Sequence, residues 1–125
     1  MATRMVLRLT HDGMTKNVAV PLDKDLGSAE TSAEIARAFG VSAGRVESIA
    51  KATYEKHQVP QQTEHGTKMV CHQVARYEEI PLNLNWHDLA HPANARIKGL
   101  LFNGQDGQWK VEVKFDIERS FREHE

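Results

Sequence analysis

The chain predicts an α+β domain in which two β-hairpins and a middle strand form a sheet packed on one main helix. Two patterns predict it. Apolar residues alternate with polar ones on either side of Asp12-Gly13 and again from Trp109 to Ile117, the two-residue period of half-buried strands. Thr31-Ser32-Ala33-Glu34 has the form of a capping box, and it precedes a helix-spaced apolar set that stops at Gly40. Size agrees with a single domain spanning 1–125, since a chain of 125 residues with 40% hydrophobic content can bury one core without disulfides or metal.

Met5, Leu7 and Leu9 alternate with Val6 and Arg8 in the first strand. Asp12-Gly13 tolerates positive backbone dihedrals, and Val18, Val20 and Leu22 repeat the alternation in the return strand. Pro21 ends that ladder because it has no N–H to donate. The helix follows from Thr31 to Phe39, with Ile35, Ala36, Ala38 and Phe39 as its apolar face and Gly40 as the left-handed stop. Ser42 offers a second N-cap, and Val46, Ile49, Ala50 and Tyr54 fall on one helical face, which predicts a second helix to about Lys56 despite the cost of Gly44.

Gln58 to Gly66 reads as a polar loop, and Thr67 to Ile80 as the middle strand, with Cys71 as a small core residue. Pro81 to Pro92 is a strand end running into a short helix or a packed loop. Ile97, Leu100, Leu101 and Phe102, then Asn103-Gly104-Gln105-Asp106-Gly107, then the alternating Trp109 to Ile117 predict a second hairpin with a long return strand. Residues 52–96 either form an insertion or belong to the main sheet, and the charged tail 119–125 frays.

Val18-Ala19-Val20-Pro21-Leu22-Asp23, followed by a helix ending Phe39-Gly40-Val41, resembles the start of a ubiquitin-like or PB1-type β-grasp domain. Leu101 to Trp109 is similar to the strand-turn-strand region where PB1-type domains carry an acidic motif, here thinned to Asp106 between neutral Gln105 and Gln108. The resemblance implies a non-catalytic docking module. Arg8 and Lys16 would be its basic contacts, and Asp106, Asp116 and Glu118 its acidic ones.

A second, local resemblance covers residues 32–51, which look like a helix-turn-helix: Ala36 is small where two helices would cross, Gly40 makes the turn, and Val46 and Ile49 anchor the second helix. It implies a small DNA-binding regulator presenting Ser42, Arg45, Ser48 and Lys51 to the major groove. Composition argues the other way. With 16 Lys+Arg against 17 Asp+Glu, the chain lacks the basic excess of a dedicated nucleic-acid binder.

Enzymatic chemistry finds little to stand on. His87 and His91 are four apart but lack an intervening catalytic glutamate and are followed by Pro92, so surface histidines are the expectation and no metal or cofactor is assigned. Cys71 and His72 are neighbours in a strand and point to opposite faces, which separates nucleophile from base. No glycine-rich phosphate loop leads into a helix. No apolar run approaches the roughly 18 residues of a membrane span, so an intracellular, cytoplasmic protein is expected.

The expectation is therefore a non-enzymatic protein-interaction or scaffold module with a protein partner, a second copy of itself bound through charged sheet faces being one candidate. Nucleic acid is a partner only under the helix-turn-helix alternative. Trp86, in a proline-flanked stretch beside Asn83, Asn85 and His87, is the aromatic best placed to anchor a partner, although core packing is the stronger expectation for it.

Overall fold

A computed structural model of the chain describes residues 3–42, 44–102 and 109–116. The first hairpin is as expected, with β1 (Arg4–His11) and β2 (Met14–Pro21) antiparallel from Arg4 opposite Pro21 to His11 opposite Met14. Asp12 and Gly13 both have positive φ, 53° and 78°, the backbone that a two-residue turn between right-twisted strands requires.

The main helix, α1 (Ala29–Phe39), starts earlier than the capping pattern suggests. Its N-cap is Ser28, whose Oγ accepts from the Thr31 N–H at 3.1 Å, while Thr31 itself is buried inside the first turn. Gly40 ends the helix at φ 70°, and the Val41 N–H returns to the Ala36 carbonyl at 2.9 Å.

The expected second helix is instead the start of a strand, β3 (Arg45–Thr63). The reason is a β-bulge. Val46 faces Phe115 and Ser48 faces Lys114, so Glu47 is an extra residue, and Val46 and Ile49 both enter the core although they are three apart. A bulge thus imitates helical spacing. Buried Ser32 on α1 accepts the Val46 N–H at 3.1 Å, so the helix is bonded to the distorted point of the strand.

β4 (Gly66–Ile80) returns along β3 from Thr63 opposite Gly66 to Ile49 opposite Ile80. The expected loop at 58–66 therefore shrinks to the turn at Glu64-His65. Its polarity reflects a ribbon exposed on both sides. The middle strand expected over 67–80 is present as β4, and residues 52–80 continue the main sheet's own strands.

Beyond Ile80 the chain forms α2 (Trp86–Ala90), whose capping box pairs Asn85 with Asp88, a 3-10 turn at Pro92–Asn94, and α3 (Ala95–Phe102). The last is a correction, because 97–102 was expected to be a strand of the second hairpin. Leu100 and Leu101 are consecutive and both buried, which a helix stripe allows and an alternating strand with one wet face does not. The Asn103–Gly107 turn expected after it, and Ile117 at the end of the expected return strand, lie outside the described residues. β5 (Lys110–Asp116) follows with Val111, Val113 and Phe115 inward.

The five strands form one sheet in the order β2-β1-β5-β3-β4. β5 runs parallel to β1 and antiparallel to β3, so the sheet is mixed and its centre is built from distant parts of the chain. Met5, Leu7, Leu9, Val18, Val20, Ile49, Val111 and Val113 cluster with Ile35 of α1, Leu89 of α2, and Leu100 and Leu101 of α3. All three helices contribute to the core, where one main helix was expected.

Candidate interaction surface

β3 and β4 outrun the rest of the sheet. Among the described residues β5 accompanies β3 only as far as Ala52, opposite Lys110, so from Thr53 to Arg76 the two strands have no third strand paired with them there. The result is a two-stranded arm. Its length follows from sequence: residues 53–76 hold β-compatible Thr53, Tyr54, Val59, Val70, Val74 and Thr67 without a helix cap between them.

Along the arm and at its base, Tyr54, Val59, Met69, Val74 and Tyr77 are exposed large hydrophobics, leaving only Val6 and Met14 of that class elsewhere among the described residues. Cys71, expected in the core, is exposed here, on the part of β4 that among the described residues pairs only with β3. The strand period separates two faces. Tyr54, Gln58, Pro60, Met69, Cys71, Gln73 and Tyr77 share the face turned from the helices, while Val59, His57, His72 and Val74 share the other.

Where the arm joins the sheet, the face turned from the helices is lined by the small residues Ser48 and Ala50 and walled by Tyr77, Glu79, Glu112 and Lys114, a hollow of about 200 Å³. Tyr54 reaches back over fully buried Ala52, and its hydroxyl donates to the Glu112 carboxylate. That bond to an anion, with partial burial second, raises the Tyr54 phenol well above its ordinary range. A raised folded-state value favours the fold while the phenol is protonated, so this contribution is complete below about pH 10 and is lost as pH rises beyond it. Tyr54→Phe is therefore expected to fall less steeply in melting temperature above about pH 10 than the parent chain. Parallel melting curves for the two proteins across that range would show that Glu112 does not hold the phenol.

The two expected basic contacts do not share a face. Arg8 opposes Asn17 on the wet face of β1, whereas Lys16 opposes buried Leu9 and donates from Nζ to the Ala38 carbonyl at 3.0 Å, at the negative end of α1. The two cations thus lie on opposite sides of the sheet. Asp116 ends β5 opposite Arg45, about 20 Å along the strand direction from the level of Arg8. Asp106 and Glu118, like the 119–125 tail, lie outside the described residues.

Trp86 opens α2 and packs edge-on against Phe102 at 6.2 Å, with the Lys98 ammonium 5.1 Å above its ring. It is half-buried against the core, and its N–H donates to the Leu22 carbonyl at 3.0 Å through the backbone.

The four residues assigned to a DNA-reading helix are dispersed by the strand. Arg45 donates to the Gly27 carbonyl at 2.8 Å, Lys51 stacks over Trp109 at 4.4 Å on the helix side, and Ser48 lines the hollow on the other side. Ser42 is an exposed residue between α1 and β3. No recognition helix exists over 45–52 to carry them together.

His91 caps the 3-10 turn by accepting the Ala93 N–H at 3.1 Å on Nδ1, and among the described residues no three His, Cys, Asp or Glu side chains converge as a metal would need. Among them, too, no helix is long and apolar enough to cross a membrane. The sequence signal for the arm was present in the β-compatible run 67–80, but its partner strand was hidden by the bulge and by the polarity of 55–65. No family model matches this chain, and comparison with curated proteins and with solved structures finds no match.

Proposed function

We propose that the chain is a non-enzymatic protein-interaction module whose docking element is the β3–β4 arm, and that it takes an extended segment of a protein partner along the free edge of β4. The arm itself carries this reading. A lone two-stranded ribbon is marginal in water, and here it holds the exposed Tyr54, Val59, Met69 and Val74, with Tyr77 at its base and, among the described residues, no third strand beside it. Backbone pairing supplies affinity in such an arrangement, and alternate side chains supply selectivity.

The strand order β2-β1-β5-β3-β4, with α1 following the first hairpin, favours kinship with the β-grasp class and its docking roles. Under that kinship the long arm is this chain's elaboration of the common plan.

The test is an armless variant in which residues 56–73 are replaced by Asn-Gly, joining Glu55 to Val74, which face each other in the ladder. Its melting temperature should stay close to that of the full chain, because the core lies elsewhere, while its circular dichroism should lose only strand signal. Proteins captured by the full chain should be lost by the variant. Equal capture by both would place the docking surface outside the arm.

A further inference from the structure

The free edge of β4 is complementary to itself. Thr63 and Gly66 close a two-residue turn, so they and every second pair below them exchange the bonds between β3 and β4. The odd-numbered residues from Thr67 to Glu79 consequently direct their N–H and C=O groups away from β3. Pro60 obeys the same rule: opposite Met69, at a position whose N faces outward, it costs the ladder nothing. It also interrupts the outer edge of β3, so β4 carries the arm's one uninterrupted edge.

We propose that the strand docked there is β4 of a second copy, antiparallel about a two-fold axis through Gln73. This rests on the docking role of the arm and names the partner. In that register Lys68 faces Glu78 of the second copy, Met69 faces Tyr77, Cys71 faces Ala75 and His72 faces Val74, each twice by symmetry. Direct neighbours across a strand pair share a face, so charge meets charge on one side and apolar meets aromatic on the other.

Neighbouring registers lose this match: an axis at His72 sets Lys68 against Arg76, and an axis at Val74 sets His72 against Arg76. Among the described residues no carboxylate pairs with Lys68, while Glu78 pairs with Arg96 of α3 in its own copy. Pairing from Thr67 to Glu79 would add up to about fourteen backbone hydrogen bonds. It would also fuse two sheets into one of ten strands. Because the two-fold pairing uses the β4 edge of both copies, the contact closes on itself as a dimer.

The experiment is the mass of the full chain by sedimentation velocity across a concentration series, with K68E, E78K and Q73P as variants. The parent should reach twice its 14.1 kDa. K68E and E78K alone should each weaken dimerisation about tenfold, because each sets like charges opposite one another twice. Mixed one to one, they should recover the parent's affinity, since each then supplies what the other lacks. Q73P removes only an outward N–H at the axis and should give a monomer with an unchanged melting temperature. A parent that stays monomeric at hundreds of micromolar, or a dimer indifferent to these substitutions, overturns the proposal. Neither result touches the docking role itself, which stands or falls on capture by the armless variant.

Discussion

Ile35→Ala is expected to lower the unfolding free energy by about 3–4 kcal/mol. Ile35 is fully buried on the inward face of α1, where it joins Leu7, Leu9, Val18 and Val113 in one cluster. Truncation removes three carbons from a site whose neighbours come from the helix and three strands. The backbone around it cannot collapse without moving the sheet, so the cavity persists and its cost adds to the lost transfer energy. For a chain of this size the melting temperature should fall by roughly 12–16 °C. Urea denaturation checks the number, and an unchanged slope against urea would show that the native state alone was affected. A loss below about 1 kcal/mol would mean that α1 does not cover the sheet as described. Ile35→Val, which removes one methyl-sized group, should cost only about 1 kcal/mol.

Ser32→Ala should cost about 2 kcal/mol through a different mechanism. The Ser32 hydroxyl, 2% exposed, accepts the Val46 N–H at the bulge of β3. Strand pairing cannot satisfy that N–H, because the bulge has displaced the ladder there. Alanine leaves a buried donor with no partner, and its full desolvation penalty appears. The control is Ser28→Ala, which removes the half-buried N-cap of the same helix and should cost about 1 kcal/mol. Equal effects of the two substitutions in urea denaturation would indicate that water reaches the bulge.

Much of the domain was legible because it obeys one rule at a time. The β1–β2 hairpin has a clean period of two and an Asp-Gly turn, and β5 alternates strictly, so both were found. α1 was found through its apolar spacing and Gly40, with its start displaced because Ser28 and Thr31 offer the same capping chemistry and only burial chooses between them. The errors come where two rules overlap. The bulge at Glu47 gave a strand the spacing of a helix, and adjacent Leu100 and Leu101 gave a helix the look of a buried strand. The arm was half visible: β4 read as a strand, while β3 beyond Ala52 was masked by Glu55, Lys56, His57, Gln58, Gln61 and Gln62, whose polarity reports solvent on both faces rather than a loop. Arg8 and Lys16 are exposed, yet pattern alone could not say that they lie on opposite sides of the sheet or that Lys16 is occupied by the end of α1.

The placement of β5 sets the order in which this fold can assemble. Its neighbours in the sheet are β1 and β3, and the bond between His11 Nδ1 and the Val113 carbonyl, 2.9 Å long, joins residues 102 apart in the chain. Both hairpins can form locally on microsecond timescales, but neither is joined to the other until β5 slides between them. The loop closure for that step must be met before its contacts exist, which makes it slow. Until it is complete, β1 and β3 each present an open backbone edge to whatever strand arrives first. Folding of this chain is therefore a competition between its own seven-residue central strand and every other extended segment in the surroundings.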